Sequence, residues 1–156
     1  MRERLDFYNL DQLERIAAQE GTRLGVQFVN GAATHLAQGS RGTPRLLLNL
    51  LGRARDLAIL EGKSKTAVSI DSAMTEKALA SQGIDSSGLC KTDRKILRTL
   101  ISIGKPIGLR TIADLVGENM KTLSEVYEPF LLREGFLIRT HFGRVATEKA
   151  KALLGI

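Results

Sequence analysis

The stretch Gly135–Thr147, GFLIRTHFGRVAT, decides how the second half of this chain folds. Phe136, Leu137 and Ile138 form one short apolar run, and Val145, Ala146 and Thr147 form another. Arg139 and Arg144 face each other across Thr140-His141-Phe142-Gly143. Two such runs around a glycine-containing link read as a β-hairpin. Gly143 is expected in the turn, because it takes positive φ without penalty. The two arginines flank the tip, where they can grip phosphate.

Outward from the hairpin, the second half alternates helical patterns with glycine stops. Residues Lys91 to Ile103 form an amphipathic helix with Ile96, Leu97, Leu100 and Ile101 inward, closed by Gly104-Lys105-Pro106-Ile107-Gly108. A short helix from about Arg110 to Val116 ends at Gly117. Thr122 and Glu125 have capping-box spacing, which predicts a helix from there to Glu134, kinked by Pro129. A last helix, Glu148 to Leu154, follows the hairpin. Helix, helix, helix, hairpin is the order of a winged helix-turn-helix, whose third helix normally enters the major groove. Here that helix carries Lys121 just before its cap, then Ser124, Glu125 and Glu128, which suit protein contact or solvent better than base reading. Binding through the wing and the DNA backbone is the nucleic-acid reading that survives, and winged helices also serve protein contacts.

The first half contains no strand pattern. Asn9 caps a helix in which Leu10, Leu13, Ile16 and Ala17 share a face, and Gly21 and Gly25 bracket its exit. A shorter helix runs from about Asn30 to Gln38, with Ala33, Leu36 and Ala37 inward. Thr43 is the natural N-cap and Pro44 the first residue of the longest helix, Pro44 to about Leu60. Leu46, Leu47, Leu50, Leu51, Ala54, Leu57 and Ala58 give that helix a wide apolar side, so it must be covered from more than one direction. Gly62 to Val68, with Lys63 and Lys65, is a polar loop. Asp71 caps a fourth helix to about Gln82, with Ala73, Met74, Ala78 and Leu79 at helical spacing. These elements make a small helical bundle. Gly83–Gly88, GIDSSG, is the one composition break, dividing the chain into residues 1–84 and 85–156. The expected fold class is mainly α: a small helical bundle followed by a winged helix-turn-helix with one β-hairpin wing.

Composition narrows the chemistry. Apolar residues make up 43% and charged residues 26%, a globular balance. The net charge of +6 is uneven. Residues 1–85 carry eleven Lys/Arg against ten Asp/Glu, net +1, and residues 86–156 carry twelve against seven, net +5. The basic excess points to a polyanion partner for the second half, although a surplus of this size is also common on domains that bind nothing acidic. With no apolar run near eighteen residues and no leader pattern, the expectation is a soluble, cytoplasmic protein without a membrane partner. Cys90 stands alone, which excludes an internal disulfide, leaves it no partner for a metal site and fits a reducing compartment. His35 and His141 lack ligand-spaced neighbours, and Ser40, Ser86 and Ser87 have no base partnered to them. No G-x-x-x-x-G-K-[ST] phosphate loop occurs. Neither a catalytic residue nor a metal site is expected, and the chain alone should not turn over ATP.

Arg45 stands in the first turn of the longest helix, where the helix dipole disfavours a cation. A nearby anion would offset that placement. Equally, the side chain could lie in solvent or pair with Asp56 or Glu61.

Six segments carry a resemblance that spans nearly the whole chain: RLDFYNLDQLERI, GSRGTPRLLLNLLGRARD, IDSSGL, GKPIGLRTIADLVGE, EVYEPFLLREGFLIRT and GRVAT, in that order. Together they resemble the C-terminal two domains of the RuvB family, AAA+ motors of Holliday-junction branch migration in DNA recombination, repair and the SOS response. The resemblance implies that residues 9 to about 83 form the AAA+ lid and the remainder a winged-helix head. It also implies that Arg45, in GTPR with Pro44, is the sensor-two arginine that reaches nucleotide phosphates. Tyr8 falls on the nucleotide-contacting tyrosine, and Arg139 and Arg144 on the DNA-contacting arginines of the head. The family's wing tip commonly reads RTPRGR and here reads RTHFGR. Phe142 therefore replaces a basic residue, either lowering DNA affinity or stacking on an exposed base. The full-length family is an ATP-dependent helicase, using ATP with Mg as a homo-hexamer on four-way junction or duplex DNA with RuvA. Its ATPase domain, with the Walker motifs, arginine finger and RuvA-binding hairpin, has no counterpart in these 156 residues. The expected function is that of the motor's C-terminal part, a lid that completes a nucleotide site built elsewhere and a head that binds DNA backbone. The alternative is a stand-alone winged-helix adaptor that binds DNA or protein.

Overall fold

The computed structural model describes residues 6–62 and 66–156. The chain forms two compact units, Met1–Leu89 and Cys90–Ile156. The predicted loop residues Lys63 and Lys65 lie outside the described residues.

In the first unit, α1 (Leu10–Arg23) begins with a reciprocal cap: the Asn9 side chain accepts from the Gln12 amide at 2.8 Å, and the Gln12 side chain accepts from the Asn9 amide at 3.0 Å. The helix runs further than the glycines suggest. Gly21 is buried inside it rather than at its exit, and the chain leaves through Gly25 at φ 68°. Leu10 is exposed, while Leu13 and Ala17 point into the core.

The expectation of a first half without strands is corrected. Strand β1 (Val26–Phe28) pairs in parallel with β2 (Val68–Ile70), Val26 opposite Val68 and Phe28 opposite Ile70. Val68, assigned to the polar loop by sequence, is therefore a fully buried strand residue. Each strand has three residues, too few to establish a period of two. Helix α2 (Ala32–Gly39) starts two residues later than expected, because Asn30 and Gly31 both adopt left-handed conformations, at φ 52° and 74°.

Helix α3 (Pro44–Leu60) occupies its predicted span, with Pro44 opening it. Thr43 is extended at the N-cap position, but its hydroxyl makes no capping hydrogen bond. Leu47, Leu50, Leu51, Ala54 and Ala58 are fully buried, in a core shared with Leu13, Leu36, Ile70 and Leu79. A buried leucine contributes about 1.5–3 kcal/mol before the ordering entropy is subtracted, so α3 is the main apolar contributor to this unit. Asp71 caps α4 (Ser72–Ser81) by accepting from the Met74 amide at 2.9 Å, and Met74 fills the core.

In the second unit, α5 (Lys91–Ile103) and α6 (Leu109–Val116) pack through Ile96, Leu97, Leu100, Ile112 and Val116. The predicted Thr122–Glu125 capping box is not formed. The Asn119 side chain caps instead, accepting from the Lys121 amide at 2.8 Å, and the third helix begins at Met120. It runs as α7 (Met120–Thr122), a π-helical turn (Leu123–Tyr127) and α8 (Glu128–Arg133). The disturbance expected at Pro129 takes the form of that π turn: the proline ring crowds the carbonyl four residues earlier, at Glu125, and the widened turn makes room.

Strands β3 (Leu137–Thr140) and β4 (Gly143–Ala146) form the predicted hairpin, with Arg139 opposite Arg144. The central turn residues are His141 and Phe142, and Gly143 opens β4 opposite Thr140 rather than lying in the turn. Its glycine requirement comes from elsewhere. Ile107 forms a third, one-residue strand: its amide donates to the Arg144 carbonyl at 3.2 Å, and the Arg144 amide donates to the Ile107 carbonyl at 2.8 Å. A Cβ at position 143 would lie 2.4 Å from the Ile107 carbonyl oxygen, and Gly143 holds φ 138°. Helix α9 (Glu148–Leu154), capped by the Thr147 side chain, closes the unit.

Gly143→Ala therefore strains the backbone and clashes with a main-chain atom that cannot rotate away. It is expected to cost at least about 2 kcal/mol, read as a lowered unfolding midpoint of the second unit, whereas Gly135→Ala, with open space at its Cβ, should cost less.

Candidate nucleic-acid interface

The hairpin places Arg139 and Arg144 side by side on one face, and a single acid lies between them. Arg139 donates from Nε to Glu128 Oε1 and from Nη2 to Oε2, both at 2.9 Å. Arg144 donates from Nε to Oε1 at 2.7 Å and from Nη2 to Oε2 at 3.5 Å. Glu128 is 1% exposed, Arg139 55% and Arg144 22% at the side chain. One buried carboxylate thus holds the inner edges of two guanidiniums whose outer edges reach solvent.

Glu128 was expected on a solvent or protein-contact face, and the structure corrects this. In a regular α-helix a residue five positions after buried Leu123 lies about 140° around the axis, at 100° per residue. The π turn changes that phase. The Glu128 amide donates to the Leu123 carbonyl, five residues back, which brings the two residues onto the same side. No periodicity rule applied to the sequence includes this step; the sequence signal was Pro129 immediately after an acid.

The electrostatics of the cluster follow from its geometry. Burial pushes the Glu128 carboxyl pKa up, but the hydrogen bonds and charges of Arg139 and Arg144 outweigh it and hold the group below its ordinary value. Arg139 is correspondingly raised, mainly by its hydrogen bond to Glu128.

Beyond the wing arginines, His141 and Phe142 are exposed at the tip, Phe142 at 85%. Along the third helix, Met120, Lys121, Glu125 and Val126 are exposed, a surface poor in the donors that base edges need.

In the first unit, the backbone brings Tyr8 beside the bend that leads into Pro44 and Arg45. The Tyr8 amide donates to the Gly42 carbonyl at 3.1 Å, tying the entering chain to the Arg41-Gly42-Thr43 bend, where Arg41 and Gly42 take φ 56° and 81°. Arg45 is exposed and, among the described residues, has no ion-pair partner. Glu61, one of the partners considered for it, binds Lys77 at 2.5 Å instead. An arginine in the first turn, beside helix amides that Thr43 leaves uncapped, suits an anion. Among the described residues, no cluster of three or more His, Cys, Asp or Glu could hold a metal ion, and no helix is long and apolar enough to cross a membrane.

A carboxylate held below its ordinary pKa stabilises the fold at neutral pH, and that contribution is lost as pH falls through the native value. The second unit should therefore lose stability below about pH 4.5, the ordinary glutamate value. Glu128→Gln should remove about 1–3 kcal/mol at pH 7 and flatten the acid limb of stability against pH, measured by denaturant unfolding. An acid limb unchanged in the variant would exclude Glu128 as its source.

Comparison with known proteins joins the two units. The family profile of the RuvB AAA lid domain matches residues 8–85, and that of the RuvB C-terminal winged helix domain matches residues 86–155. The Holliday junction branch migration complex subunit RuvB of Thermosipho melanesiensis is 47% identical over 154 residues, covering 97% of this chain and 48% of that protein. The Kosmotoga olearia subunit is 48% identical, covering 97% of this chain and 44% of that protein. The solved Thermotoga maritima RuvB Holliday junction branch migration motor superposes with a TM-score of 0.83 at 40% identity, over 97% of this chain and 50% of that one. The chain spans about half the length of the relatives it matches. With a lid bundle, a winged helix and these relatives in one register, the chain belongs to the RuvB family and carries its AAA lid and C-terminal winged-helix domains.

Proposed function

We propose that this chain serves as the lid and DNA-binding head of a branch-migration motor, with residues 1–84 as the lid and 85–156 as the head. The relatives are named for Holliday junction branch migration, and four-way junction or duplex DNA is the corresponding substrate here. The observation that carries the reading is the pairing of Arg139 with Arg144 on one face of the wing, with guanidinium edges left open to solvent. Each arginine has five N–H donors and spends its Nε and Nη2 groups on Glu128. The remaining donors suit phosphate oxygens, which carry no sequence information. Exposed Met120 and Val126 on the third helix favour backbone binding by the wing over base reading by that helix. Phe142 offers its exposed ring for stacking on an unpaired base near a junction.

In the lid, Arg45 would hold nucleotide phosphates, with Tyr8 and Pro44 contacting the rest of the nucleotide. The uncapped amides at the start of α3 and the exposed cation beside them fit an anion. ATP with Mg would supply the motor's free energy through phosphoryl transfer. The residues that perform the transfer would come from an ATPase domain, so the lid binds and orients but does not hydrolyse. Assembly as a homo-hexamer with RuvA in the cytoplasm completes this reading.

The wing is tested by titrating this chain and Arg139→Ala/Arg144→Ala against duplex and four-way junction DNA across a salt series. Each phosphate neutralised contributes about −0.9 to the slope of log affinity against log salt. The double variant should weaken binding to all sequences alike and flatten the slope by about two units. An unchanged slope, or loss confined to one sequence, would remove the wing from the mechanism.

A further inference from the structure

Charge alone does not explain Glu128. A phosphate-binding pair of arginines would attract DNA more strongly without an acid between them, since one carboxylate cancels one of the two positive charges. Yet the acid is buried and accepts from both arginines. The geometry gives a reason. Both guanidiniums are gripped along the Nε–Nη2 edge, which leaves the Nη1 donors and the second Nη2 hydrogen on the adjoining, end-on edge. A planar guanidinium held in this way has one remaining fork, which matches a phosphate bidentately. Because the hairpin register sets Arg139 opposite Arg144, the two forks lie next to each other.

We propose that Glu128 is a positioning residue for DNA: it holds Arg139 and Arg144 by their inner edges so that their outer edges bind the phosphodiester backbone as one unit. This rests on the wing reading above and adds a residue of the third helix that itself touches no DNA. Ordering the two long side chains before binding removes part of the entropy otherwise lost on association.

The test exploits a difference of sign. Glu128→Gln adds one positive charge to the head, so electrostatics alone gives tighter DNA binding and a steeper salt slope. Positioning gives the reverse: binding of this 156-residue chain to mixed-sequence duplex should weaken about five- to tenfold, with a shallower slope, at temperatures where circular dichroism shows the variant folded. Binding as tight as the parent or tighter overturns the proposal. The same change on an Arg139→Lys/Arg144→Lys background should not weaken binding further, because lysine cannot be held by one edge and bind by another; an equal loss there would make the effect general destabilisation and overturn it too. Should the glutamine variant not fold, Glu128→Asp decides. It keeps the charge but withdraws the carboxylate by one methylene, so DNA affinity should fall at unchanged net charge, and parental affinity would overturn the proposal. If Arg139→Ala/Arg144→Ala binds like the parent, the wing reading itself fails; if it loses binding while the Glu128 variants do not, only the positioning role fails.

Discussion

A carboxylate removed from water must be met by charge or hydrogen bonds; in the second unit buried Asp93 accepts from the Cys90 amide at the start of its own helix, whereas Glu128 has to be met from the wing. An ion buried without partners costs several kcal/mol, so the fold that buries Glu128 must also deliver Arg139 and Arg144 to it. This links segments far apart in sequence. The π turn rotates Glu128 inward, the hairpin register brings both arginines to one face, and Gly143 lets β4 approach Ile107 closely enough to fix that hairpin. Disturbing any one of them leaves the others with an unsatisfied group.

Where the sequence contained a regular pattern, it was readable. The span of α3, the span of α5, the hairpin and the Arg139–Arg144 pairing all follow from hydrophobic period and turn residues. The departures share a cause, which is that the deciding interaction is either too short or too distant to leave a period. Strands β1 and β2 have three residues each and are paired across more than forty positions. The third helix is capped by a single Asn119 side-chain contact, which leaves Thr122 inside the helix, and a five-residue π turn then shifts its phase. Glu128 looked like a surface acid since its neutralising partners come from the hairpin beyond the helix, in tertiary space that helical periodicity does not describe.

The candidate sites divide in the same way. Residue type and position drew attention to Arg45, Arg139 and Arg144, the family resemblance added Tyr8 and Pro44, and the structure adds what surrounds them. Arg45 remains open at the start of α3, while the wing arginines are half engaged before any ligand arrives. Among the described residues Arg45 therefore has no ion-pair partner, whereas the two wing arginines share one carboxylate.

The Ile107 bridge has a mechanical consequence. A two-stranded ribbon anchored only at its base bends readily under a sideways pull. Here the two main-chain hydrogen bonds between Ile107 and Arg144 brace the ribbon midway along its length, and the Glu128 clasp ties its arginines to the adjoining helix. A tug on Arg144 is thus shared by its own peptide group and its own side chain, in parallel. The hairpin should behave as a stiff lever rather than a flexible arm, passing load into α8 and the segment between α5 and α6 with little lost to bending.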